Sequence, residues 1–302
     1  MKKEIRTVNG NMVQITTVDE RWYARPRVDP STKLPAGFDF VPSVTWIAEH
    51  YPKGIGFYKW LAEHGWDEAQ ALKEAAGDKG SKVHAAVADL LNGITVGMEA
   101  AFVNPSTGQP EPLTLEEYRA ILSFANWHEG AKPDTIAQDV VVWNDRDGYA
   151  GTVDYVCKLE GVLTVIDFKT SKGIWPGHRM QVSAYKAANP AWKDAQLAIL
   201  QLGYERNKLG YKFTEIADCY PLFLAAKVIW AEETAGQVPS QKDYPVSVTL
   251  THTATATTPT TAQASTSNGP EATPTLGGSD GGARRVGKEE LKGADSGRRG
   301  NR

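Results

Sequence analysis

The sequence predicts an α/β protein with an αβββαβ core, an α-rich N-terminal elaboration and a disordered C-terminal tail. Three observations lead there. Apolar residues recur at helical spacing before residue 130, with Val83, Val87, Leu90 and Leu91 at i, i+4, i+7 and i+8. From residue 140 the texture changes to short β-type runs separated by turns. From Ser247 onward there is no aromatic residue, and eight threonines crowd residues 249–262. Such a composition buries too little apolar surface to offset its ordering entropy.

Taken in order, Asn9-Gly10 between two β-type runs predicts a hairpin. Pro26, Pro30 and Pro35 then predict an irregular segment, so that residues 1–40 form a hairpin and linker. Ser43 can cap a short helix, and Phe57, Tyr58, Trp60 and Leu61 suggest a second. A helical pattern over 67–76 meets Gly77 and Gly80, which are expected to interrupt it before Ser81 restarts it towards Asn92-Gly93. Residues 94–113 read as a loop. Thr114 with Glu117 forms a capping box opening a helix to about His128. Strands are expected at 140–143, 149–159 and 162–169; the last is nearly continuously apolar, as a strand buried on both faces would be. A helix over 178–188, strands over 195–202 and 211–216, and a helix over 221–234 complete a core domain assigned to 41–246, with 247–302 as the tail.

Composition excludes several functions. The chain has 302 residues and a formal charge of −3; residues 247–302 carry seven basic and five acidic side chains, leaving the rest near −5. Coating nucleic acid by bulk positive charge is therefore disfavoured. Two cysteines, Cys157 and Cys219, are too few for a disulfide framework, a four-cysteine zinc site or a four-cysteine iron–sulfur cluster. No apolar signal core or membrane-length run is present, so no membrane association is expected and the reading is a soluble protein of a reducing compartment.

The informative stretch is Gly151-Thr152-Val153-Asp154, then Ile166-Asp167-Phe168-Lys169, then Gln181 and Tyr185. Asp167 and Lys169 lie two apart on a strand and leave the same face. Asp154, on the preceding strand of a hairpin, can converge with Asp167. Two carboxylates at one point repel unless a cation sits between them, and oxygen ligation suits Mg²⁺ or Mn²⁺. An adjacent lysine can orient water or hold a developing charge on a phosphate. Gln181 and Tyr185, four apart, share one helix face. Trp46, Trp60, Trp66 and Trp127 sit in helical patterns and read as core, with base stacking by one of them as the alternative. Lys172, His178, Arg179, Lys186, Lys193, Arg206 and Lys208 are candidates for a DNA path, with a solvated face as the plain alternative.

These motifs resemble the PD-(D/E)xK nuclease superfamily, in particular its RecB-type exonuclease branch of phage exonucleases and CRISPR-adaptation nucleases. That branch shows a G-x-x-D strand, a D-x-K strand and a Q-x-x-x-Y helix, here Gly151–Asp154, Asp167–Lys169 and Gln181–Tyr185. Its upstream histidine is matched by His84 within Gly80-Ser81-Lys82-Val83-His84. The resemblance spans roughly residues 40–230 and implies a restriction-endonuclease-like fold. It implies Asp154 and Asp167 as metal ligands, Lys169 as the catalytic lysine, the Phe168 carbonyl as a further ligand, and His84 as a candidate ligand. Gln181 and Tyr185 would support the site or the DNA backbone. Asp139 stands where many relatives carry a glutamate, and no iron–sulfur cluster is expected.

The expected function is that of a Mg²⁺- or Mn²⁺-dependent DNA exonuclease in phage or bacterial recombination and repair, acting in the cytoplasm. DNA is its expected substrate, and a recombination or single-strand-binding protein its expected protein partner. A non-catalytic nucleic-acid-binding module of the same fold and a metal hydrolase of small phosphoesters are the alternatives. Oligomeric state, cleavage polarity and strand preference are not legible.

Overall fold

Two small sheets precede the helices. In the computed structural model, which describes residues 2–9, 12–18, 21–33, 35–235 and 237–249, β1 (Lys2–Asn9) and β2 (Met12–Val18) pair antiparallel, with Asn9 opposite Met12. The turn expected at Asn9-Gly10 involves residue 10, which lies outside the described residues. The proline-bearing stretch after it is not irregular. It forms a hairpin of β3 (Trp22–Val28) and β4 (Pro35–Pro42). Pro35 and Pro42 end β4 and Pro26 adjoins a register shift, positions where a missing ladder N–H is tolerated.

Helix α1 (Val44–Glu49) starts behind Ser43, whose hydroxyl accepts the Trp46 N–H at 3.1 Å. Helices α2 (Ile55–His64) and α3 (Trp66–Leu91) follow. Gly77 and Gly80 do not interrupt α3, which runs unbroken for 26 residues. A helical glycine costs only about 1 kcal/mol against alanine, less than the burial of Val83, Ala86 and Val87 in the same helix returns. The loop expected over 94–113 contains a short hairpin, β5 (Ala101–Val103) with β6 (Pro110–Pro112). Three-residue strands are too short to show a period. Helix α4 (Leu115–Ala131) opens with the Thr114–Glu117 capping box.

The central sheet comes next. Strands β7 (Asp134–Asn144), β8 (Tyr149–Leu159) and β9 (Val162–Lys169) form an antiparallel meander. Helix α5 (Pro176–Ala188) crosses to β10 (Gln196–Leu202), which pairs parallel with β9 and antiparallel with β11 (Tyr211–Ile216). The sheet order is β11-β10-β9-β8-β7. Helix α6 (Tyr220–Glu233) and β12 (Ser240–Pro245) follow, and β12 pairs with β2. Strand β12 was not anticipated, because Ser-Gln-Lys-Asp-Tyr-Pro has no apolar alternation.

Both faces of this mixed sheet are covered. On one, Val44, Ile47, Met180, Tyr185 and Phe223 from α1, α5 and α6 pack on Val153, Val165 and Ile199. On the other, Val83, Val87, Ile121, Phe124 and Trp127 from α3 and α4 pack on Tyr155, Ile166 and Phe168. Trp46 and Trp127 are core as expected, but Trp66 is 66% exposed; it opens α3, before the helix reaches the sheet. Among the described residues no helix is long and apolar enough to cross a membrane. The chain divides into two units, Met1–Val248 and Thr249–Arg302. The tail expected over 247–302 lies outside the described residues from 250 onward.

Candidate metal centre

The site begins where two strands part. The β8–β9 ladder runs from Leu159 opposite Val162 to Tyr155 opposite Ile166 and stops there. Beyond it β9 stays paired with β10, Asp167 opposite Ile199 and Lys169 opposite Gln201, while β8 stays paired with β7. A fork opens between them. The Phe168 N–H, freed from the ladder, donates instead to Asp154 Oδ2 at 2.7 Å. Asp154 and Asp167 are thus brought to the fork by two different strand pairs.

Asp167 is 1% exposed. Lys169 Nζ lies 2.6 Å from its Oδ2, an ionic contact without hydrogen-bond alignment, and neither carboxylate oxygen receives an aligned hydrogen bond. Burial first, and then the neighbouring Asp154 charge, push the Asp167 carboxyl up to about 6, against the pull of Lys169. Asp154 goes the other way. Burial would raise it, but His84, Lys169 and the Phe168 N–H together hold it below the usual carboxylate range. One carboxylate is thus stabilised as an anion and its neighbour is not.

His84, on the buried edge of α3, reaches into this fork. Its Nε2 lies 3.1 Å from the Phe168 carbonyl oxygen and its Nδ1 3.5 Å from Asp154 Oδ1. Two acceptors on one ring favour the doubly protonated imidazolium. Burial opposes that charge, but Asp154 prevails and the His84 pKa is raised. Asp139 joins the same recess, which His84, Val87, Asp154 and Phe168 also line. In β7, Gln138 faces Tyr155 and Val140 faces Val153, so Asp139 comes opposite Asp154. Its backbone is left-handed, with φ 48°, unusual in mid-strand and costly for a residue with a Cβ. Partial burial and then Asp154 raise its pKa.

The helix motif braces the fork from the other face. Gln181 Nε2 donates to Tyr185 Oη at 2.6 Å and lies 3.3 Å from Thr45 Oγ1. Tyr185 is buried, and burial together with the Asp167 and Asp154 charges holds its hydroxyl well above its usual pKa, hence neutral. A Cβ on Gly151 would sit 2.5 Å from Tyr185 Cε1. The glycine of the first motif is therefore required by the tyrosine of the third. Next to it, Tyr23 Oη and Thr152 Oγ1 lie 2.9 Å apart, so the β3–β4 hairpin buttresses the same strand, a contact that no sequence signal announced.

A divalent cation suits these donors. Asp154, Asp167 and the Phe168 carbonyl offer hard oxygens; His84 would add a nitrogen only after giving up a ring proton, and as an imidazolium it restrains Asp154 instead. Lys169 is the only partner of the Asp167 carboxylate among the described residues, on Oδ2, and Oδ1 is buried without one. Among the described residues no group of three or more His, Cys, Asp or Glu side chains is drawn together as a ready cage. Of the basic residues considered for a DNA path, Lys172 and Arg179 are exposed beside the strand end. Lys186 is paired with Asp218 at 3.3 Å, and Arg206 and Lys208 lie exposed between β10 and β11. His178 is uncharged at neutral pH, since burial and then Lys169 and Lys53 push it down to about 3. No family model matches the chain, and no curated protein matches it.

Proposed function

We propose that this protein is a metal-dependent deoxyribonuclease with a restriction-endonuclease-like fold, of the RecB-type exonuclease branch of the PD-(D/E)xK superfamily. Its role would be the digestion of DNA ends in phage or bacterial recombination and repair. The observation that carries this reading is Asp167, a buried carboxylate without an aligned donor on either oxygen, set beside Asp154 and Lys169 in an open fork. A structural carboxylate buried this deeply is ordinarily given several aligned donors; Asp167 has only the Lys169 ammonium beside Oδ2, which leaves Oδ1 for a ligand cation. The αβββαβ order with β9 and β10 parallel, and Gly151 fitted to Tyr185, are consistent with it.

Asp154, Asp167 and the Phe168 carbonyl would hold the ion, with His84 beside them. A bound divalent cation supplies a water acidic enough to be ionised near neutral pH and charge stabilisation for the phosphate. The protein contributes the rest. The Phe168 N–H fixes one Asp154 oxygen and His84 restrains the other. Lys169, partly exposed and anchored on Asp167, can present its ammonium to a phosphate oxygen or to the attacking water. Tyr185 keeps its proton and, with Gln181, positions the α5 face without acting as a base. A loaded cation also offsets the negative charge near the fork that would otherwise repel DNA.

The test is digestion of linear and circular DNA with Mg²⁺ or Mn²⁺ and with excess chelator. Cleavage should require the metal, and Lys169→Ala or Asp167→Ala should each cost about 10²-fold or more in rate, as loss of a preorganised electrostatic group does. Undiminished cleavage in chelator, or full activity of either folded variant, overturns the reading. DNA binding without any cleavage would favour a non-catalytic module instead.

A further inference from the structure

Trp175 is the most conspicuous apolar side chain near the fork. It is 60% exposed, six residues beyond Lys169, and it immediately precedes α5. An exposed indole is unremarkable alone, but this one is held in place. Its ring lies across Gly173, where an added Cβ would come 3.1 Å from Cη2. Its backbone N–H donates to His178 Nδ1 at 3.4 Å, which fixes the chain at the start of α5, and the neutral His178 is itself close enough to Lys169 to feel that charge. The loop beneath is tied by Ser171 Oγ to the Gly173 carbonyl at 2.8 Å and by Gln201 Nε2 to the Ser171 carbonyl at 2.9 Å. Gln201 pairs with Lys169 across β9 and β10, so the tie reaches directly to the active strand.

We infer that Trp175 is a stacking platform for a nucleobase of the strand whose phosphate lies at Lys169. This rests on the nuclease reading and adds to it a subsite for a base. The chemistry of a single strand fits the setting of the ring: a π-face to stack on, with exposed Lys172 and Arg179 three and four residues away along the chain and exposed Lys53, whose charge reaches His178, for backbone phosphates. A bound strand needs both, and an apolar protein partner would have no use for the cations. Restraint of the loop lowers the entropy lost when a base settles on the ring. Because every base has a π-face, the platform positions the strand without reading sequence.

The test uses short oligonucleotides carrying the fluorescent base 2-aminopurine at successive positions from one end. Binding to the full chain is followed in calcium buffer, and cleavage with Mn²⁺ is measured alongside. One position should be quenched on binding. The quenching should vanish in Trp175→Ala and persist in Trp175→Phe. In cleavage, Trp175→Ala should raise KM by roughly tenfold or more, in keeping with the loss of one base stack, with a smaller effect on kcat, and an abasic nucleotide at the quenched position should reproduce that defect. If the DNA is bound and cleaved but no position responds, or Trp175→Ala leaves both quenching and KM unchanged, the platform is refuted while the nuclease reading stands. If wild-type protein neither binds nor cleaves DNA, both fall together.

Discussion

Asp167 carries its charge at a cost. Burial raises its pKa to about 6 from an ordinary 3.8. A raised carboxyl contributes stability below its unfolded pKa and loses that contribution as pH rises through the folded value. At pH 7.5 without metal, the ionised side chain therefore destabilises the fold, and Lys169 compensates only in part. Asp167→Asn should raise the melting temperature there by about 2–4 °C, on the order of 1 kcal/mol for a domain of this size, and the gain should fade towards pH 4. Thermal melts in chelator at the two pH values check this; a variant less stable than wild type at pH 7.5 would mean that Lys169 already satisfies the carboxylate. Asp139 stores a different strain. At φ 48° glycine should be tolerated better than alanine, so Asp139→Gly should be more stable than Asp139→Ala by about 1 kcal/mol. Equal melting temperatures for the two variants would show that the left-handed backbone relaxes. Asp154, Asp167 and Lys169 were legible in the sequence because strand alternation and motif spacing are local properties. Asp139 was visible only as a position without an assured role, since nothing local announces a left-handed residue in mid-strand. Trp175 was not singled out at all: exposure and the restraint of its loop are tertiary facts.

At the scale of elements, the fork depends on a steric fit between β8 and α5. Gly151 leaves room for the Tyr185 ring, and a methyl group there would also come 3.2 Å from Val44 Cγ2. Gly151→Ala should therefore destabilise the protein by about 1–3 kcal/mol, the range for overpacking a filled core. It should cost much less in a Tyr185→Ala background, because the two sites share one volume. Full additivity of the two substitutions in a melting series would refute that coupling. Helix α3 was misread for a related reason. Gly77 and Gly80 argue locally for a break, but the helix is held by tertiary contacts. Lys82 is buried and paired with Glu117 at 2.8 Å, and Val83 and Val87 pack under the sheet. Only the unbroken helix carries His84 to Asp154. The strand pair β3–β4 was lost to its prolines, and β12 to its polar sequence; both are edge elements, where burial leaves no periodic trace.

For the whole molecule, the last element with a described partner is β12, whose residues Ser240–Pro245 pair with β2. The first unit ends three residues later, at Val248. Everything the candidate site uses, from Tyr23 to Gln201, lies before that boundary. Residues 249–302 bring no aromatic side chain and no apolar period to any core, and their composition offers little surface whose burial could stabilise the first unit. A chain cut after Val248 should therefore melt within about 1–2 °C of the full-length protein, a shift worth only a few tenths of a kcal/mol at this size, and should cleave DNA at the same kcat. Removing seven basic and five acidic residues leaves a more negative protein, so its DNA affinity should fall slightly at low salt through charge repulsion, an effect that screening erases at high salt. Melting curves and cleavage rates at low and high salt separate the two contributions. A fall of more than about 5 °C on truncation would mean that the segment docks on the first unit, and a kcat deficit that persists at high salt would mean that it reaches the fork.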